Sequence, residues 1–248
     1  MPRLTSFLLL VLMASSAAIA PWAVAQEAPA TAASASGRTA LTAGSQVYTL
    51  DPTPSAMLSW PLERWLPLAA NVESDLLRDL DRAGVESQAF RRDRYMWLAL
   101  IAQLRGDWQR VPALVERARR LHDEPAARMT AGLVNQLMAE QQLGRHNEAW
   151  LRRATRDRFA ALPWAVVGPT VQRLQQQLQA MDGEVLRARV AAQVDEVAKG
   201  TQGRATLALT MQLIGARLQL AHALPHRDAL VQGLSEVIAQ HPVAKAKP

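Results

Sequence analysis

The chain has 248 residues and a formal net charge of +6, and 49% of its residues are hydrophobic while only 5% are aromatic. This length and composition suffice for one buried core or for a continuous helical-repeat core. The sequence contains no cysteine, which excludes disulfide bonds, cysteine catalysis, thiolate metal sites and a lipidated N-terminal cysteine. The stability of the fold must therefore come from packing.

Residues 1–25 are predicted to be a cleaved secretory signal peptide. Arg3 supplies the positive charge, Phe7 to Ala20 is an apolar stretch shorter than the ~18–20 residues of a spanning helix, and Ala23-Val-Ala25 is a cleavage site. An uncleaved N-terminal anchor is the alternative interpretation. Cleavage would leave a net charge of about +5, because residues 1–25 contain Arg3 and no acid. The predicted location of the protein is therefore periplasmic or secreted.

Three further segments are predicted after the signal peptide. Residues 26–54 are rich in Ala, Ser, Thr and Pro and are predicted to form a flexible linker, in which Gln46 to Leu50 is a candidate extended piece. Residues 55–242 are predicted to form a single helical-repeat domain, and residues 243–248 a disordered tail.

Apolar residues of the domain recur at spacings of three and four, which is typical of amphipathic helices. In chain order the predicted helices cover residues 61–66, 73–82, 86–105, 107–121, 127–143, 147–158, 169–181, 184–199 and 205–224, and a last helix begins at Pro225. In the second of these, Leu76, Leu77 and Leu80 share one apolar face. Period-two alternation is absent from residue 55 onward, so the sequence predicts an all-α protein of about ten helices. Loops of two to six residues make successive helices antiparallel neighbours.

Two stretches of the chain repeat the same pattern. In each, an apolar helix ends at a Leu, a Gly lies in the turn, a second amphipathic run follows, and a Pro comes after it. Gly106 and Gly144 are 38 residues apart, and so are Pro125 and Pro163. This repetition predicts stacked helical hairpins, which bind partners more often than they catalyse reactions.

At Gly106-Asp107-Trp108 and at Leu143-Gly144…Glu148-Ala149 the chain resembles the tetratricopeptide-repeat family, over residues 95–164. The matching residues are Gly106, Trp108, Ala118 and Pro125 in the first hairpin, and Gly144, Ala149 and Pro163 in the second, where His146 takes the place of the aromatic residue. The period of 38 residues is longer than the ~34 of that family. The resemblance implies antiparallel hairpins stacked as an α-solenoid, with a concave groove that binds a protein or peptide partner. By their offset from the turns, the residues implied to line this groove are Met96, Leu100, Gln103, Val134, Met138 and Gln141. The alternative is that these side chains pack against the neighbouring hairpin.

No catalytic, cofactor or metal site is predicted from the titratable residues. His222 and His226 are four residues apart, the spacing of a helical metal pair, but Pro225 lies between them and interrupts the helix. Glu73, Asp75, Asp79 and Asp81 are interleaved with arginines, which favours an ion-paired solvated face over paired catalytic carboxylates. The chain contains no Gly-x-Ser-x-Gly sequence and no phosphate-binding loop.

The function predicted from the sequence is therefore that of an exported, non-catalytic helical-repeat protein that binds a protein or peptide in the cell envelope. One alternative uses the basic runs Arg91–Arg94, Arg117–Arg120 and Arg152–Arg158 to bind an anionic lipid or polymer. The least favoured alternative is a helical enzyme subunit that uses the corner formed by His222 and His226. Nucleic acid is not an expected partner, because aromatic residues are few.

Overall fold

The computed structural model describes residues 47–49, 54–82, 87–201 and 204–241, so the predicted signal peptide and tail lie outside the described residues. The α-helices are α1 (Leu62–Arg82), α2 (Gln88–Leu104), α3 (Val111–Arg120), α4 (Pro125–Thr130), α5 (Leu133–Gly144), α6 (Glu148–Ala160), α7 (Trp164–Gln179), α8 (Gly183–Thr201), α9 (Leu207–Leu218) and α10 (Arg227–Gln240). Short 3-10 helices cover Pro54–Ser59 and Trp108–Arg110, and a π-helix covers Gln219–Ala223. The prediction of an all-α protein is confirmed. Within these ranges, no helix combines the length and apolar character that crossing a membrane requires.

Two three-residue strands join the start of the described chain to its C-terminal third. Strand β1 (Val47–Thr49) pairs antiparallel with β2 (Arg204–Thr206), with Tyr48 opposite Ala205. The buried Tyr48 hydroxyl donates a hydrogen bond of 2.7 Å to Asp75 Oδ2 in α1. β1 falls within the extended piece predicted for the linker, whereas β2 lies where the sequence predicts a loop and the start of a helix.

The buried apolar residues form two cores. The first core is built mainly by α1, α2, α3 and α9, with further side chains from β1, the first 3-10 helix, α5 and α8. The second core is built by α5, α6, α7 and α10. Helix α9 packs on α2, and α10 packs on both α6 and α7. The C-terminal third of the chain therefore returns to both halves. In a simple solenoid each repeat contacts only its neighbours, so the predicted solenoid arrangement is not confirmed.

The helix predicted over residues 127–143 is in fact two helices. The helix is interrupted at Ala131 and Gly132, and Gly132 adopts a positive φ of 69°. A Cβ at Gly132 would lie only 2.3 Å from Cγ1 of Val115 in α3. This position therefore requires glycine both for its backbone angle and for the close approach of α3. The break separates α4, which packs on α7, from α5, which packs on α3.

Helix α1 is longer than predicted, and the helix predicted at 205–224 is shorter. The two helices predicted for 61–66 and 73–82 form one continuous helix through Pro67. Because proline has no N–H, Pro67 leaves the carbonyl of Glu63 without its usual helical donor. In the helix predicted at 205–224, β2 replaces the first residues and a π-helical turn replaces the last residues.

The two similar hairpins are present, but their turns differ. Gly106 has a φ of 74°, as expected for a glycine that ends a helix. In the second hairpin Arg145 adopts the left-handed conformation, with a φ of 47°, while Gly144 is the last residue of α5. The two prolines do not end the second helix of each hairpin: Pro125 is the first residue of α4, and Pro163 caps α7.

Candidate functional site

The six residues predicted to line a groove are buried. Their exposed fractions are 7% for Met96, 2% for Leu100, 4% for Gln103, 6% for Val134, 2% for Met138 and 8% for Gln141. Four of them come together around one small pocket between the two cores. Gln141 has a different role, because its Nε2 donates to the His146 carbonyl at 2.9 Å and holds the turn between α5 and α6. Met96 does not line the pocket.

We call this space the junction pocket. Its lining residues are Leu100, Gln103, Val134, Asn135, Met138, Leu218, Gln219, His222 and Ala223. The cavity volume is about 20 Å³, which is room for roughly one water molecule. The amide nitrogens of Gln103 and Asn135 have no hydrogen-bond partner among the residues that the structure describes. The pocket therefore has unpaired polar groups among mostly apolar side chains, and it is far too small for a peptide segment.

The chain itself fills the surface that the sequence assigned to a partner. Residues 218–223, at the end of α9 and in the π-helix, line the junction pocket opposite α2 and α5. Leu100, Gln103, Val134 and Met138 are thus covered by the returning C-terminal residues, as in the alternative in which these side chains pack within the fold. The resemblance to tetratricopeptide repeats implied that these residues of α2 and α5 share one surface, and four of them line one pocket. It carried no signal for the helix that packs on that surface.

His222 and His226 do not form a common site. The His222 ring packs edge-on against Trp108, with ring centroids 4.9 Å apart. Burial lowers the pKa of His222 below its ordinary value, and the nearby Arg217 and His226 lower it further. His226 instead faces Glu148, with Nδ1 3.5 Å from Oε1. Over the described ranges, no three His, Asp or Glu residues are grouped as metal ligands would be.

Most of the basic runs are neutralised within the fold. The ion pairs are Arg92–Asp93, Arg94–Asp79, Arg119–Glu116, Arg120–Glu116, Arg152–Glu236, Arg156–Asp157, Arg156–Glu236 and Arg158–Glu140. Arg117 lies over the ring of Tyr95, with its Cζ 5.8 Å from the centroid. Seven of the ten arginines in these runs therefore have an acidic partner among the described residues.

Three of the acids in α1 hold neighbouring elements in place. Glu73 is buried and accepts hydrogen bonds from Arg105 and from Arg110, the second at 2.8 Å. Asp79 accepts from Arg94 Nε at 2.9 Å. Asp75 accepts from Arg78 at 3.0 Å, in addition to its bond with Tyr48. The predicted ion-paired face is therefore present, although most of its partners come from other elements.

The outer surface of α1 carries a row of exposed apolar side chains, which we call the α1 stripe. It consists of Leu62, Leu66, Ala70 and Leu77. At 3.6 residues per turn, these four positions lie within about a quarter of the helix circumference. Glu73, which is bonded to Arg105 and Arg110, lies on the same arc between Ala70 and Leu77. The exposed fractions of the three leucines are 42%, 38% and 43%, which makes them half of the large hydrophobic side chains found exposed in the described chain.

The α1 stripe was missed in the sequence. The sequence pattern predicts Leu77 on one apolar face with Leu76 and Leu80, but Leu76 is fully buried while Leu77 is exposed. The signal was the spacing of Leu62, Leu66 and Leu77, at four and eleven residues. Periodicity alone does not separate such a stripe from a core face, because only the packing of the neighbouring helices decides which face is covered.

Comparison with known proteins adds no relative: no family model, no curated protein and no solved structure matches the chain.

Proposed function

We propose that the protein is an exported, non-catalytic helical protein, related in its hairpins to tetratricopeptide repeats, that binds a protein or peptide partner in the cell envelope. The observation that carries this proposal is the α1 stripe, an aligned apolar surface on a helix that is otherwise polar outside. Aligned exposed apolar side chains, unlike scattered ones, mark interaction surfaces. The signal peptide predicted over residues 1–25 supports the envelope location.

The partner contacts α1 and not the junction pocket. A peptide would reach Leu100 or Met138 only after residues 218–223 had moved away, since these cover the inner surface. The α1 stripe needs no such rearrangement. An amphipathic helix laid along it would present apolar residues at the same spacings of three and four.

The area of the α1 stripe predicts a reversible complex. Complete burial of one leucine side chain stabilises by about 1.5–3 kcal/mol, and the three leucines are each roughly two-fifths exposed. Covering them therefore contributes about 2–4 kcal/mol, and a partner of equal apolar area would add a similar amount. The loss of translational and rotational freedom on association offsets several kcal/mol of this gain, which favours a weak complex.

The proposal is tested by photo-crosslinking in the living cell. A photoreactive residue placed at Leu66 is expected to crosslink to one reproducible envelope protein, and Leu77→Glu in the same chain is expected to abolish that crosslink. The matched control is the photoreactive residue at Leu143, an exposed leucine at the end of α5 (48% exposed). An identical crosslinking pattern from the two positions, or persistence of the Leu66 product in the Leu77→Glu chain, would refute docking on the α1 stripe.

A further inference from the structure

Two carboxylates lie along one edge of the α1 stripe. Glu63 and Asp81 are 18 residues apart, which is five turns of helix, so they lie on the same side of α1 at its two ends. Both are exposed. Each is 100° or less around the helix from the leucines of the stripe, within reach of a segment laid along it.

These two acids are available to a partner. In contrast to Glu73, Asp75 and Asp79, neither Glu63 nor Asp81 forms an ion pair with any residue that the structure describes. They remain unpaired although the chain as a whole is basic, with a net charge of +6. Their immediate neighbours Arg64 and Arg82 point a further 100° around the helix, away from the stripe.

An ion-paired group within the α1 stripe selects less strongly for charge. Glu73 lies on the arc of the stripe, and Arg105 and Arg110, each with its side chain 43% exposed, are both bonded to it. Arg110 also pairs with Asp107 at 3.4 Å, so two cations face two anions. The net electrostatic preference of this surface comes from the Glu63 and Asp81 edge.

We infer that the segment that docks on the α1 stripe is a basic amphipathic helix, with apolar residues facing Leu62, Leu66 and Leu77 and with lysine or arginine residues facing Glu63 and Asp81. This inference rests on the proposed function and specifies the chemistry of the partner. To reach both acids the helix must span about 27 Å, or at least five turns, since each residue rises 1.5 Å.

The test uses two synthetic 20-residue helical peptides whose leucine stripes are identical. One has lysine along a single edge, the other has glutamate at the same positions, and binding of each to the full chain is measured by fluorescence anisotropy. We expect the lysine peptide to bind roughly tenfold more tightly, because two exposed ion pairs replace two repulsions, and we expect this ratio to shrink as salt is raised.

The double variant Glu63→Lys/Asp81→Lys is expected to reverse the preference between the two peptides. Its matched control is Glu124→Lys/Glu196→Lys, which changes net charge equally at exposed acids of other elements that form no ion pair within the described ranges. This control should keep the preference for the lysine peptide. If both double variants shift binding alike, the effect is one of overall charge and the inference is overturned.

A third variant separates the inference from the proposed function. Leu66→Ser is expected to weaken binding of both peptides. If Leu66→Ser weakens both while Glu63→Lys/Asp81→Lys leaves the preference intact, the α1 stripe docks a partner but does not select a basic one. If Leu66→Ser leaves both affinities unchanged, the proposed docking on the α1 stripe itself is wrong.

Discussion

Replacing Gly132 by alanine tests the break that separates α4 from α5. The backbone there has a φ of 69°, and a left-handed conformation costs an alanine about 1–2 kcal/mol. The added methyl would also lie 2.3 Å from Val115 Cγ1, and overpacking of this kind costs about 1–3 kcal/mol. The two contributions together predict that Gly132→Ala lowers the free energy of unfolding by about 2–5 kcal/mol.

Gly106→Ala separates these two contributions. Gly106 has a similar φ of 74°, but nothing lies within 4 Å of the position that its Cβ would take. Thermal and urea unfolding followed by circular dichroism should therefore show a loss of only about 1–2 kcal/mol for Gly106→Ala. Gly132→Ala should melt about 2–12 °C below Gly106→Ala, at 2–4 °C for each kcal/mol in a chain of this size.

Truncation of Val115 tests the steric contribution to the loss of stability in Gly132→Ala. Val115→Ala removes both methyl groups that the new alanine would meet, so the double variant Gly132→Ala/Val115→Ala should lose less stability than the sum of the two single variants, by about 1–2 kcal/mol. Additive losses, or equal melting temperatures for Gly132→Ala and Gly106→Ala, would refute the reasoning that the approach of α3 requires a glycine at this break.

Three further predictions concern charged groups in the cores. Burial raises the pKa of Asp93 to about 6, so ionised Asp93 opposes folding as pH rises through that value, and Asp93→Asn should raise the melting temperature at pH 7.5 but not at pH 4. Burial, with Arg92 and Arg128, lowers the pKa of His122 to about 4. The stability that neutral His122 contributes to the folded state is therefore lost as pH falls from 6.5 toward 4, and His122→Asn should make the free energy of unfolding less dependent on pH in that window. Glu73→Gln leaves Arg105 and Arg110 without their shared carboxylate, and we expect a loss of about 1–2 kcal/mol in urea unfolding, reduced because both arginines are partly exposed. An unchanged melting temperature for Asp93→Asn at pH 7.5, an unchanged acid profile for His122→Asn, or an unchanged urea midpoint for Glu73→Gln would contradict the respective argument.

Local patterns predicted much of the helical content. Apolar spacings of three and four located most of the helices, because each buries one face and exposes the other. Asn147 caps α6 by accepting from the Trp150 N–H at 2.9 Å, close to the predicted start of that helix. The boundaries that failed did so for reasons that local sequence does not contain. Pro67 remains inside α1, and Gly132 interrupts a run of helix-forming residues because α3 passes close to it.

The candidate site separates more clearly what the local sequence predicts from what tertiary packing decides. The sequence by itself determined that the chain is all-α, since helical periodicity places apolar residues on one face of each helix. The resemblance of its turns to tetratricopeptide repeats implied that Leu100, Gln103, Val134 and Met138 share an inner surface. Only the tertiary structure decided that residues 218–223 cover this surface and that Leu62, Leu66 and Leu77 stay exposed. Which apolar face is covered depends on contacts between residues more than 100 positions apart in the chain, such as those of α9 with α2. A periodic pattern identifies an apolar face, but it does not identify the element that packs on it.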